Sequence, residues 1–404
     1  MGLTADNLVD ALTVCAGGES AEFCSGGVPD DEFEVVLMLR HAQPTFAPTV
    51  YSAWEAEGRE LSPMLQSELD SARARVDYYR SVDAAMRAQV PGLDSVKGLE
   101  IIDLYPNGLA RHQNDLDYVA SGEDDLWDGC RHLLGTGWEV DTATFSVVKG
   151  AVGVMVSMRR PNEDPYQMVY GVELTTYYSL GNYGAINPLL GLPQRWRGTA
   201  IKNILMLLYE RYEQPFRARD LVDTVLLHNE LSRDELAELH RAVVELSLGV
   251  EYAELVELVG KTGLGPLPAW PGRRLATGTI RARRSARAAS FFLRPVAGTG
   301  RQLQRRMITG QIGSLDGALW DAVQRRLTVP QALSGGLIAF GLPLDRPPPV
   351  TRTVLRRRGR LAWADTPVAR FLLTVGDYVS QGDVDELASE DTARAAELAA
   401  ESRT

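Results

Sequence analysis

Two aspartates, Asp115 and Asp117, flank Leu116 in the run Asp-Leu-Asp-Tyr-Val-Ala, whose apolar setting predicts a β-strand. Successive strand side chains point to opposite faces, so the two carboxylates project together and Leu116 the other way. Paired carboxylates repel unless a cation neutralises them. Hard oxygen ligands suit Mg²⁺, which takes one or two protein carboxylates and fills its remaining positions from water and substrate phosphates. The chemistry implied is that of a metal-bound nucleoside triphosphate, most simply ATP. Upstream, Lys97-Gly98 predicts the start of a short helix. Glycine lets a phosphate approach the backbone, the helix start offers unpaired N–H groups, and lysine adds a point charge. Arg111, four residues before Asp115, offers a bidentate phosphate contact. A third carboxylate would complete a two-metal site and take the proton of an incoming hydroxyl. Glu173 is the candidate, because an unpaired acid in an otherwise apolar strand is costly, whereas Glu163 and Asp164 lie in a turn. Each residue also has a plainer reading: solvated turn acids at 115 and 117, an ordinary helix start at 97–98, Arg111 paired to a carboxylate, and Glu173 paired to an arginine.

These residues need elements to hold them. Apolar residues recur at helical spacing from Leu65 to Met86, predicting a long helix from Ser62 to about Val90 that Pro91-Gly92 ends. Val152–Met158 and Val169–Tyr178 read as partner strands around a Pro-Asn-Glu-Asp-Pro turn. Three helices are predicted between Thr199 and Val259, with breaks near Gln214-Pro215 and Ser232. The apolar run from Asp31 to Pro44 reads either as a strand or as a buried helix. The Pro/Gly-rich stretch 263–271 marks a domain boundary, Leu361 to about Ser380 resembles strands, and 386–404 is an acidic, Ala-rich tail.

The chain has 404 residues, 45% hydrophobic and 24% charged, which fits a globular protein of two or three domains. Three cysteines, Cys15, Cys24 and Cys130, argue against a disulfide framework or a zinc ribbon. With no basic leader and no apolar span, a cytoplasmic protein without a membrane partner is expected. Only four of the 42 basic residues are lysines, a bias in keeping with a GC-rich bacterial genome. The net charge of −11 conceals an asymmetry: residues 271–360 hold 18 arginines against Asp316, Asp321 and Asp345, a local +15. Such a block suits RNA or an acidic partner, or packs against its own acidic neighbour. Phe291 and Phe292 are the obvious aromatic pair there, too few to support specific single-strand recognition.

Val35 to Pro44 carries Arg40-His41-Ala42, like the strand entry of the histidine phosphatases. That chemistry needs a second catalytic histidine, and His228 and His240 fall on predicted amphipathic helices. His112, His132 and Cys130 lack metal-ligand spacing.

Val96-Lys97-Gly98, Tyr105, Arg111, Asp115-Leu116-Asp117 and the later Leu134-Gly135-Thr136-Gly137-Trp138 together resemble the uncharacterised nucleotidyltransferases of the DNA-polymerase-β-like superfamily. Arg219-Asp220-Leu221-Val222-Asp223 and Ser232–Leu236 are similar to that family's helical region, so the resemblance covers about residues 60–260. It implies an α/β (α+β) chain. The expected parts are an N-terminal segment (1–60), a small mixed-sheet nucleotidyltransferase core (61–180), a helical subdomain (181–262), an Arg-rich basic C-terminal domain (272–385) and the tail. It further implies transfer of a nucleoside monophosphate from an NTP to an acceptor hydroxyl or carboxylate, releasing pyrophosphate. Asp115, Asp117 and Glu173 would hold Mg²⁺, and Lys97, Gly98 and Arg111 the nucleotide. The acceptor expected is a small metabolite or peptide of a bacterial specialised-metabolite pathway. An RNA or tRNA end is the alternative, as is a non-catalytic binding member of the fold. The family's third acid is an aspartate closely followed by a histidine; here Glu173 stands with no histidine beside it.

Overall fold

In the computed structural model the described residues are 3–16, 32–106, 108–148, 151–164, 167–176, 196, 199–211, 215–246, 248–268, 326–335, 337–344, 350–359 and 361–376, with a few isolated positions. The elements in chain order are α1 (Ala5–Ala16), α2 (Glu32–Ala42), α3 (Ala47–Ala56), α4 (Pro63–Gln89), β1 (Leu93–Val96), α5 (Gly98–Ile102), β2 (Asp115–Ala120) and α6 (Glu123–Gly135). Next come β3 (Glu139–Val148), β4 (Ala151–Arg160), β5 (Tyr170–Thr175), α7 (Ala200–Glu210), α8 (Ala218–Asn229), α9 (Arg233–Glu245) and α10 (Gly249–Val259). The last are α11 (Val329–Ser334), β6 (Ala339–Leu344), β7 (Val354–Arg358), β8 (Leu361–Asp365) and β9 (Arg370–Thr374).

The nine strands among the described residues form one mixed sheet in the order β1-β2-β5-β4-β3-β6-β9-β8-β7. Only β2 and β5 run parallel, with Asp117 beside Glu173 and Asp115 beside Gly171. One face of the sheet packs on α4, α6 and α11. Leu116, Tyr118, Val172 and Leu174 are buried there with Leu126, Trp127 and Cys130 of α6 and Ala332 of α11. The long helix starts where expected, with Ser62 Oγ accepting from the Leu65 amide and Pro63 at the first helical position. Its buried face carries Leu65, Leu69, Ala72, Val76, Tyr79 and Met86, and also Arg75, an unexpected charge.

A second apolar core binds α1, α2 and α3 to α7, α8, α9 and α10. The expected N-terminal segment thus packs as part of the helical body. The region 199–259 holds four helices rather than the three expected, because the run from Arg233 to Val259 is divided at Leu248, which adopts a non-helical conformation ahead of Gly249. The 31–44 run is the helix α2, not a strand. Val119 of β2 points into this second core, so the helical body covers the sheet face opposite α6.

Within the span expected as a basic C-terminal domain, β6 pairs with β3 and β9, β8 and β7 follow it to continue the same sheet, with α11 packed in the shared core. Most of residues 269–325 and the tail 386–404 lie outside the described residues, and with them Arg283–Arg287, Phe291 and Phe292. Of the second arginine run, Arg357 and Arg358 are exposed on the edge strand β7, and Arg356 pairs with buried Asp365. Among the described residues no helix is long and apolar enough to cross a membrane.

Candidate metal and phosphate site

Alternation along β2 sends Leu116 and Tyr118 into the α6 core and Asp115 and Asp117 to the other face. Parallel neighbours in register point the same way, so Glu173 stands on that face next to Asp117. Gly171, beside Asp115, contributes no side chain to crowd it. Burial, Asp115 and Glu173 all push the Asp117 carboxyl well above the usual carboxylate range, and Lys97 pulls it partly back. Asp115 is also raised, chiefly by burial, against the opposing charges of Arg219 and Lys97.

Lys97 and Gly98 join β1 to α5, and both have positive φ, 55° at Lys97 and 45° at Gly98. Lys97 is the only non-glycine described residue with positive φ, a backbone state that persists only where its surroundings enforce it. Two side chains of α7 do so. Asn203 Oδ1 accepts from the Lys97 amide at 2.8 Å and its Nδ2 donates to Glu100 at 2.9 Å. Fully buried Lys202 donates to the Ser95 carbonyl at 2.7 Å and pairs with Asp94 and Glu100. A β-carbon at Gly98 would stand 2.5 Å from Gln113 Nε2. The Lys97 ammonium itself is buried and paired with Glu210 at the end of α7.

Arg111 sits otherwise than expected. Its bidentate edge is engaged by Asp223 of α8, with Nη2 to Oδ2 at 2.8 Å and Nε to Oδ1 at 3.0 Å. Nη1 donates to Gln113 Oε1 at 3.0 Å, and Gln113 in turn donates to the Asp115 carbonyl. Tyr105 completes the cluster through a 2.7 Å bond to Asp223. Arg111 lines the cavity but reaches Asp115 through Gln113.

A second node joins the strands. Arg75 donates to the carbonyls of Gln113, Asn114, Met168 and Val169 at 2.6–2.9 Å, and Tyr79 Oη accepts from the Gly171 amide. One arginine of α4 thereby ties together the segments leading into β2 and β5.

These groups surround a cavity of about 310 Å³ lined by Lys97, Gly98, Arg111, Gln113, Asp115, Asp117, Glu173, Glu210, Arg217, Arg219 and Asp220, with Met155 and Leu207 as its apolar members. All six sequence-derived candidates border it. Sequence reasoning passed over Glu210 and Arg217, and took Arg219 and Asp220 only as part of a helical region, not as site residues. The Arg-x-Arg-Asp spacing ahead of an amphipathic helix was the available signal, but it reads equally well as a helix start. Asp220 accepts from the Arg217 amide at 2.8 Å, and burial with Glu210 nearby raises its carboxyl to about 6.

Other candidate chemistry falls elsewhere. Arg40 and His41 end a helix, Arg40 is paired with Glu68, and His228 is buried against the Tyr252 hydroxyl at 2.9 Å. That is no histidine phosphatase arrangement. Burial lowers the His112 and His228 imidazoles to about 4.

Among the described residues no three His, Cys, Asp or Glu side chains are gathered as a finished metal cage. The donor set nevertheless fits Mg²⁺, which needs only one or two carboxylates when phosphates supply the rest. Asp115 and Asp117 are such a pair. In comparisons with known proteins, no family model, no curated protein and no solved structure matches the chain.

Proposed function

We propose that the chain is an Mg²⁺-dependent nucleotidyltransferase that moves a nucleoside monophosphate from an NTP, most simply ATP, to an acceptor hydroxyl or carboxylate. The observation that carries this reading is the common face of Asp115, Asp117 and Glu173 on the one parallel strand pair, bordering the same cavity as the Lys97-Gly98 turn. The motif resemblance to the DNA-polymerase-β-like superfamily points the same way. When bound, Mg²⁺ would neutralise phosphate charge and draw electrons from the reacting phosphorus. Asp115 and Asp117 would bind and orient it. Lys97 would exchange Glu210 for phosphate oxygen, and the Gly98 backbone would let the phosphate chain approach. Glu173 would accept the acceptor's proton as its oxygen bonds to the α-phosphorus, while the bond to the β-phosphate oxygen breaks and pyrophosphate leaves. Arg111 would position Asp115 through Gln113. The acceptor would be a small metabolite or peptide.

Incubation with α-³²P-labelled NTPs, Mg²⁺ and either total tRNA or cell extract tests this. The expected result is label on a small product, made by wild type and by neither Asp115→Asn nor Asp117→Asn. Absence of both Mg-NTP binding and transfer would refute the catalytic reading. Label on tRNA would move the acceptor to RNA.

A further inference from the structure

The proposed reaction needs a cation to hold the polyphosphate end of its substrate, and the two obvious ones are engaged within the protein. Lys97 is paired with Glu210, and Arg111 is forked onto Asp223. Arg219, in the first turn of α8, is different. It lines the same cavity as Asp115, Asp117, Lys97 and Glu173. Its Nε is buried and donates a hydrogen bond to no described residue, and it forms no ion pair among them. Buried guanidinium N–H groups are almost always paired, and leaving one unpaired costs more than a typical hydrogen bond contributes. A planar donor fork with unused capacity, facing a polar cavity, matches the oxygens of a phosphate chain.

We infer that Arg219, rather than Arg111, is the arginine that binds the polyphosphate of the substrate. The inference rests on the reading of the cavity as a metal–nucleotide site. It assigns to α8 a direct substrate contact beside the Lys97-Gly98 turn and β2, which line the same cavity. It also explains the position of Arg219 against Asp115, whose carboxyl it holds down more than any other nearby charge. An arginine there joins the carboxylate side of the site to the phosphate side.

The alternative is a purely charge-balancing arginine, and the two differ in what they control. Binding of inorganic tripolyphosphate to the full chain at saturating Mg²⁺, by titration calorimetry, separates them. If Arg219 binds phosphate, Arg219→Gln weakens tripolyphosphate about 10–100-fold, as loss of a charge-assisted hydrogen bond does, and Arg219→Lys recovers part of it. Arg131→Gln, at an exposed ion pair on α6, leaves binding unchanged. If Arg219 only balances Asp115, Arg219→Gln tightens Mg²⁺ and leaves tripolyphosphate affinity as it was; that result overturns the inference. Should wild type bind no tripolyphosphate, the nucleotide reading of the cavity fails and the inference with it. A measurement on wild type guards against a misfolded variant. Phenylglyoxal labelling followed by peptide mass spectrometry should show Arg219 protected by Mg-tripolyphosphate. Equal labelling with and without the ligand, where calorimetry shows binding, refutes the assignment.

Discussion

Replacing Asp117 by asparagine keeps the shape of the site and removes one charge from its most crowded position. Asp117 is half-buried, with Asp115 two residues away on the same face and Glu173 beside it on β5. At about 5 Å, the spacing of neighbouring strands, and an effective dielectric of about 20, two full carboxylate charges repel by about 3 kcal/mol. Lys97 offsets part of this, and partial protonation relieves more, so about 1–2 kcal/mol should remain near about pH 8. Asp117→Asn is therefore expected to melt higher than wild type in EDTA, by roughly 2–8 °C at the 2–4 °C per kcal/mol usual for domains of this order. Mg²⁺ closes most of this gap. At about 10 mM and a Kd near about 1 mM, it stabilises wild type by about 1.4 kcal/mol through mass action. The variant, lacking the second carboxylate, should gain almost nothing. Differential scanning calorimetry in EDTA and in Mg²⁺ reads all four numbers. A variant less stable than wild type in EDTA, or an equal Mg²⁺ shift in both proteins, would show that these carboxylates are not mutually repelling metal ligands.

Gly98→Ala is expected to cost about 1–3 kcal/mol in urea unfolding, because the residue has positive φ and its new β-carbon meets Gln113, itself bonded to the Asp115 carbonyl; triphosphate affinity should fall with it. Asp223→Ala strands the Arg111 guanidinium in the core and should cost about 3–5 kcal/mol, whereas the double change Arg111→Met with Asp223→Leu should recover most of that loss. Asp220 gives a pH dependence with a defined sign. Its carboxyl, raised to about 6 from 3.8, keeps a proton in the folded state that the unfolded chain has already released. Wild type should therefore lose up to about 3 kcal/mol relative to Asp220→Asn as pH rises from about 4 to about 6, with a level gap above that. Urea titrations across that range in EDTA check it, and a pH-independent gap would contradict the buried, proton-holding Asp220.

The residues most legible in the sequence were those whose role is fixed by local alternation. Asp115-Leu116-Asp117 reads as a strand with two carboxylates on one face because a strand has a period of two, and β2 is that strand. Ser62-Pro63 announces α4 because the hydroxyl and the imino ring each suit one helix-start position. The Val-Val-Leu-Met-Leu run in α2 was ambiguous, since five consecutive apolar residues satisfy both periods. What could not be read was long-range pairing. Arg111 meets Asp223 across 112 residues, and no local signal distinguishes a phosphate-binding arginine from one that finds a carboxylate in the fold. Arg75 appears in sequence as a solvated helix charge, because its four carbonyl partners come from two distant strand entries. The pairing of β6 with β3 depends on the sheet's open edge rather than on either strand's composition.

A carboxylate cluster is unfavourable in the absence of a cation, so something else must hold β2 against β5. The opposite face of the same two strands supplies it. Leu116, Tyr118, Val172 and Leu174 are each buried against the α6 core, and burying such side chains contributes about 1.5–3 kcal/mol apiece. Their sum exceeds the repulsion of about 3 kcal/mol between two neighbouring acids on the reverse side. The seam is also fixed at its entry by Arg75 and Tyr79, whose hydrogen bonds go to backbone atoms of both strands and do not depend on the acids at all. Strand adjacency is thus set by groups that never touch the cavity. Asp115, Asp117 and Glu173 can be kept close, with a response to metal that the fold itself does not need. Removing that backbone seam, by Arg75→Met, should weaken the protein in EDTA and in Mg²⁺ alike, whereas removing a carboxylate should raise the melting temperature in EDTA and abolish the Mg²⁺ shift.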